Sequence, residues 1–152
     1  MLASPVEIKK HSREKKNSFV LKRVFTKHGV SPFDEITWVR QDASVGSGDK
    51  KVFEQKQIEF PDFWSLNAIN ITASKYFRGK LNSPEREQSA RKMVERVVKV
   101  IRGWGERFEY FSGAQAQIFE DELTHILIYQ QAAFNSPVWF NVGVAEKPQC
   151  SA

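Results

Sequence analysis

Cysteine is nearly absent from this 152-residue chain; Cys150 stands alone, so no internal disulfide can form. Histidine is scarce too, and His11, His28 and His125 lie too far apart to give a metal-ligand spacing. No apolar run approaches the roughly 18–20 residues that a membrane-spanning helix needs. The opening MLASPVEIKK lacks the apolar segment of a secretory signal. A single thiol and no export signal fit a reducing, cytoplasmic setting. A glycine-rich phosphate loop is missing as well. GSGDKK, from Gly46 to Lys51, has two glycines but neither an apolar strand before it nor a helix signal after it.

The same scarcity bears on catalysis, which needs a reactive group and a partner that tunes it. No histidine lies near Cys150 in sequence, so a cysteine hydrolase would need His125 or His28 to arrive by folding, together with an oxyanion site. The carboxylates Glu85, Glu87, Glu120, Asp121 and Glu122 sit near expected helix starts, where they complement the helix dipole. Residue by residue, the chain carries no active site of its own.

What is present is an ordinary globular composition, 41% apolar and 27% charged, in one domain's length of chain. The net charge of +5 is concentrated at one end. Residues 1–27 hold eight basic side chains (Lys9, Lys10, Arg13, Lys15, Lys16, Lys22, Arg23, Lys27) against Glu7 and Glu14, a local balance of +6. The rest has 15 basic and 16 acidic residues and is close to neutral. Residues 1–24 therefore read as a basic, flexible tail. A nucleic-acid-binding arm is the alternative, but no aromatic residue interrupts Lys9–Lys16 to stack on a base.

Beyond the tail, Gly29 and Ser31-Pro32 mark a turn. ITWV and VFEQKQIEF are rich in β-branched and aromatic residues and flank the Gly46–Asp49 cluster, which predicts a hairpin with a long connection, ended by Pro61. Phe63, Leu66, Ile69, Ala73 and Tyr76 recur at helical spacing, so Phe63–Gly79 is expected to be helical despite Asn67, Asn70 and Thr72. Ser83-Pro84-Glu85 offers an N-cap, a first-turn proline and an early carboxylate. A helix with Ala90, Met93, Val94, Val97, Val98 and Ile101 on one face should follow and close at Gly103, with Trp104 and Phe108 capping the core. Ser112-Gly113 should open a second helix with Phe119, Leu123, Ile126, Leu127 and Gln130 as its stripe and His125 at the boundary. The two helices predict an antiparallel pair. The fold class is α+β, mainly helical with one β-hairpin.

The closing stretch FNSPVWFNVGVAEKPQCSA is the most specific part of the sequence. Together with FTKHGVSPFDEITW, VFEQKQIEFPDFWSLNAINITASKYFRG and SPEREQSARKMVERVV, it resembles the N-terminal region of cobalamin-dependent ribonucleotide reductases, over about Phe25 to Ala152. The resemblance implies that residues 25–152 are the reductase N-terminal domain, cut at the start of an α/β barrel that this chain does not contain. It implies adenosylcobalamin as cofactor and a ribonucleotide substrate, with diphosphate or triphosphate left open. The remainder of the reductase chain, a homodimer mate and a thioredoxin-like thiol reductant would be the partners.

In such enzymes a cofactor-derived thiyl radical takes hydrogen from the ribose, and a cysteine pair supplies the reducing equivalents. The family pattern puts a redox cysteine directly after Ala152, so Cys150 is not that thiol and the chain alone is expected to be inactive. Ser136 of the Asn-Ser-Pro motif matches a hydroxyl that contacts the ribonucleotide, while Ala152 matches a position whose backbone approaches it. From spacing alone, Ser136 reads as an N-cap or turn hydroxyl before Pro137. A chain ending inside a barrel would leave Val138–Val144 as an exposed apolar patch. A basic nucleic-acid module, or a non-catalytic partner of a full-length reductase, remains the alternative function.

Overall fold

The computed structural model describes residues 19–46 and 48–151, so the Lys9–Lys16 cluster and Ala152 lie outside the described residues. Strands β1 (Trp38–Val45) and β2 (Phe53–Pro61) form the expected antiparallel hairpin, with Trp38 opposite Pro61 and Val45 opposite Phe53. The register slips once, between Gln41 and Ala43, where β2 carries an extra residue. Gln57 takes the left-handed conformation there (φ 53°) and donates its N–H to Asp42 Oδ1 at 2.9 Å. The bulge lets Ala43, Ile58 and Phe60 all face inward, fully buried.

Helix α1 (Leu66–Ile71) is capped by Ser65 and runs into a π-helical turn, Thr72–Tyr76. A π turn needs a reason, and Ser74 supplies one. Its hydroxyl donates back to the carbonyls of Asn70 (2.6 Å) and Ile71 (3.3 Å), competing with the backbone ladder. Asn70 in turn accepts the Ser44 N–H and ties the helix to β1.

The next helix corrects both of its expected ends. Helix α2 is Ala90–Arg107, with Ser89 rather than Ser83 as its N-cap. Residues 78–88 fold instead into turns, with Arg86 N donating to Ser83 O and Glu87 N to Arg78 O. The stretch is drawn out of a helix because Gln88 O accepts the Glu59 N–H and the Ser89 hydroxyl reaches the Glu59 carboxylate, laying the chain beside β2. At the far end the helix continues through Gly103. Trp104 packs on the core as expected, but Phe108 lies exposed and Phe111 folds in beneath Gly105 in its place.

Helix α3 (Gly113–Ile128) returns along α2 after a short connection. Its buried residues are Ala116, Asp121, Thr124, Leu127 and Ile128, a face rotated from the expected stripe, and Gln130 is exposed. The rotation follows from cover on two sides. Besides α2, the chain from Phe19 to Thr26 lies across α3 and its leading turn. Phe19 N donates to Tyr110 O, Leu21 N to Gln115, and Arg23 pairs with Asp121 at 2.7 Å.

Glu122 accepts the N–H groups of Phe25 and Thr26 and the Thr26 hydroxyl. His125 stacks between Phe25 and Tyr129, at the boundary as expected. Among the described residues, contacts to α3 and the turn ahead of it are made from Phe19 onward. Four of the five acidic residues named as dipole partners make other contacts instead: Glu87 to Arg96, Glu120 to Arg102, Asp121 to Arg23 and Glu122 to the N-terminal strap. Among the described residues, no helix is long and apolar enough to cross a membrane.

Two glycines of α2 should respond oppositely to alanine. A Cβ at Gly103 meets nothing within 4 Å, so Gly103→Ala should stabilise by about 0.5–1 kcal/mol. At Gly105 a Cβ would sit 2.1 Å from the Phe111 ring, so Gly105→Ala should destabilise by about 1–3 kcal/mol. Urea titration of the two variants checks the signs. Glu122 gives a pH prediction. Burial pushes its carboxyl up, but the Thr26 hydroxyl and the N–H groups of Val24, Phe25 and Thr26 outweigh that and hold it below the ordinary 4.5. Its contribution is therefore full above pH 4.5 and is lost as pH falls through the lower folded value. Glu122→Gln should flatten that acid limb of the stability curve.

Candidate functional site

Helix α4 (Ser136–Asn141) is a six-residue helix that would not persist alone. Three anchors hold it. Trp139 and Val142 are buried in the core, and the Trp139 indole N–H donates to Phe134 O at 3.1 Å. Arg96 on α2 donates to the carbonyls of Val142 (2.6 Å) and Trp139 (3.3 Å), closing the C-terminal end of the helix. Gly143 follows at φ 74°, where a Cβ would stand 2.5 Å from Arg96 Cγ, so the guanidinium stem passes where only glycine leaves room.

Arg96 is itself held by Glu87, Nε to Oε1 at 2.7 Å, and both side chains are largely buried. The other oxygen of Glu87 accepts the Arg78 N–H at 2.8 Å, and the Glu87 carbonyl accepts from Gln55 of β2. Next to it, Arg86 donates to the carbonyls of Phe77, Gly79 and Ala73 and to Gln55 Oε1. Burial, and then the nearby Arg78 cation, draw the Arg86 guanidinium below its ordinary value. One connected set of charges and amides therefore joins the hairpin, the π turn, α2 and α4.

Asn135, not Ser136, is the N-cap residue of α4, and its side chain makes no cap bond. Ser136 occupies the first turn ahead of Pro137, and its Oγ lies 3.1 Å from the Tyr76 hydroxyl at the end of the π turn. The Tyr76 ring stacks on Phe140 (5.5 Å between centroids), and Arg78 covers Phe140 from 5.1 Å. A cavity of about 280 Å³ opens beside this group, lined among others by Trp64, Thr72, Tyr76, Met93 and Trp139.

The two asparagines that bracket α4 reach the chain just before Ser151. Asn135 Nδ2 donates to Cys150 O at 3.0 Å, and Asn141 Nδ2 donates to Gln149 O at 2.8 Å. The Ser136 turn and the chain leading to Ala152 are thereby brought together, although Ala152 itself is outside the described residues. Cys150 is half-buried, its sulfur 3.6 Å from Pro148 O, with no histidine among its hydrogen-bond partners in the described residues.

The expected apolar patch at Val138–Val144 is not found. Trp139 and Val142 are buried, Val138 and Phe140 are half-buried, and only Val144 is well exposed. Large exposed apolar side chains lie elsewhere among the described residues, Phe19, Val20, Phe108 and Tyr110 among them. Sequence reasoning missed Tyr76, Arg96, Asn135 and Asn141. A signal existed only for the asparagines, two amides bracketing an apolar helix too short to stand alone.

Because Cys150 is the sole thiol, it reports on the clasp. Asn135→Ala should raise its alkylation rate about fivefold, the loss of one hydrogen bond of about 1 kcal/mol. An unchanged rate would mean that the amide does not restrain the segment.

Comparison with known proteins places this sequence in a family. Residues 40–130, from the hairpin to the end of α3, match the family described as class II vitamin B12-dependent ribonucleotide reductase. The vitamin B12-dependent ribonucleotide reductase of Streptomyces avermitilis is 50% identical over 135 residues, covering 87% of this chain and 14% of the relative. That of Rhodopirellula baltica is 40% identical over 119 residues, 76% of this chain and 11% of its own. The Agrobacterium fabrum protein of the same name is 30% identical over 82% of the chain. The chain thus spans about a seventh of the length of the curated Streptomyces relatives it matches. On these matches, it belongs to the class II vitamin B12-dependent ribonucleotide reductases.

Proposed function

We propose that this chain is the N-terminal region of an adenosylcobalamin-dependent ribonucleotide reductase, and that it forms one wall of the ribonucleotide site through Ser136 and the backbone at Ala152. The observation that carries the reading is the Asn135 clasp on Cys150. It holds the Asn-Ser-Pro turn against the segment entering Ala152, a contact that spans 15 residues of chain. A serine hydroxyl suits a ribonucleotide because it donates to, or accepts from, phosphate and sugar oxygens without adding charge. In this reading the enzyme makes 2′-deoxyribonucleotides for DNA synthesis from ribonucleotides. This region binds and orients substrate and is inactive alone.

The described residues do not fit cobalamin. The corrin itself supplies the equatorial ligands of the cobalt, so a protein offers one axial side chain at most, and the His125 ring is stacked between Phe25 and Tyr129. We assign cofactor binding, the thiyl cysteine and the redox pair to the remainder of the enzyme, so no step is derived through them here. A homodimer, a thioredoxin-like reductant that reopens the cysteine disulfide, and a cytoplasmic setting complete the proposal. The nucleic-acid alternative gains nothing from Arg23 and Lys27, whose charges are already taken by Asp121 and Glu35.

The test is Ser136→Ala in the full-length reductase carrying this region. KM for the ribonucleotide should rise on the order of 3–10-fold with kcat and the urea midpoint unchanged, as expected for one lost hydrogen bond. Unaltered kinetics would remove Ser136 from the substrate site.

A further inference from the structure

A serine hydroxyl rotates freely unless something fixes it, and a site that relies on one needs a neighbour to set its direction. Ser136 Oγ has one such neighbour, the Tyr76 hydroxyl at 3.1 Å. Tyr76 is itself unusually constrained. It is the last residue of the π turn, and that turn is closed by Phe77 N–H donating five residues back to Thr72 O at 3.2 Å. Two arginines secure the carbonyls around it: Arg86 holds Ala73 O and Phe77 O, and Arg78 holds Lys75 O and Tyr76 O. Its ring is pinned against Phe140, with Arg78 over the far ring. Wide turns of this kind recur at functional sites because they re-aim one side chain without breaking the helix.

We infer that Tyr76 is a positioning residue for Ser136. By donating its O–H to Ser136 Oγ, it leaves the serine proton free to donate to a phosphate or sugar oxygen of the bound ribonucleotide. This inference rests on the reading of Ser136 as a substrate contact. The two hydroxyls then form a short relay, in which the phenol faces the protein and the serine faces the ligand.

Tyr76→Phe is the clean probe, since it keeps the ring on Phe140 and removes only the oxygen. In the full-length reductase, Tyr76→Phe should raise KM for the ribonucleotide several-fold at constant kcat and constant urea midpoint. In a Ser136→Ala background, the same change should add less than about twofold, because a group that acts through Ser136 has nothing left to orient. Three results overturn the inference: no change in KM for Tyr76→Phe, an effect that adds fully to that of Ser136→Ala, or a KM change that tracks a lowered urea midpoint. If Ser136→Ala shifts KM and Tyr76→Phe does not, only the positioning role fails. If Ser136→Ala is itself silent, the substrate-contact reading fails and the role of Tyr76 falls with it.

Discussion

Arg96 reaches from the middle of α2 to the end of α4 and to Glu87 at the same time, and the arrangement of the site depends on that double reach. Its Nη1 closes α4 at Val142 O, while its Nε meets the Glu87 carboxylate at 2.7 Å. A largely buried ion pair of this kind gives little net stability over a well-packed apolar alternative. Removing one partner, however, strands the other and costs about 3–5 kcal/mol. The Asn135 and Asn141 bonds are smaller, about 1 kcal/mol each. The order of magnitudes gives the order of dependence. Arg96 and Glu87 set where α4 stands, and the asparagines then settle the chain running toward Ala152 against it.

The same set of residues explains the turns between the π turn and α2. Glu87 gives one oxygen to Arg96 Nε and shares the other between the Arg78 N–H and Arg96 Nη2, and Arg86 caps three carbonyls of the chain ahead of it. Neither side chain could do this from within a regular helix that began at Ser83. Gly79 marks how tight the fit is. Its φ is 85° and a Cβ would lie 2.3 Å from Glu85 O, so the chain doubles back there at glycine-only distance. The position of Tyr76, and with it the proposed direction of the Ser136 hydroxyl, is downstream of these contacts.

The hairpin, the α2–α3 pair and the membership of Ser112-Gly113 in a helix start were legible in the sequence because periodicity and turn chemistry are local signals. The start of α2 was misread at Ser83-Pro84-Glu85 for a reason that locality cannot supply: a competing strand edge at Glu59 captures Gln88 and Ser89. The α3 face was misjudged because Asp121 and Glu122 turn toward a strap about 95 residues earlier in the chain. At the site, the Asn-Ser-Pro motif drew notice through resemblance alone. Tyr76 looked like a core aromatic at helical spacing, and only the π turn shows that it faces Ser136.

The most direct measurement is a crystal structure of the full-length reductase carrying this region, with a ribonucleotide bound. The account predicts Ser136 Oγ within about 3 Å of a phosphate or sugar oxygen, with Tyr76 still in contact behind it and the Asn135 clasp intact. A ribonucleotide bound well away from Ser136, with α4 facing solvent or another subunit, would contradict it.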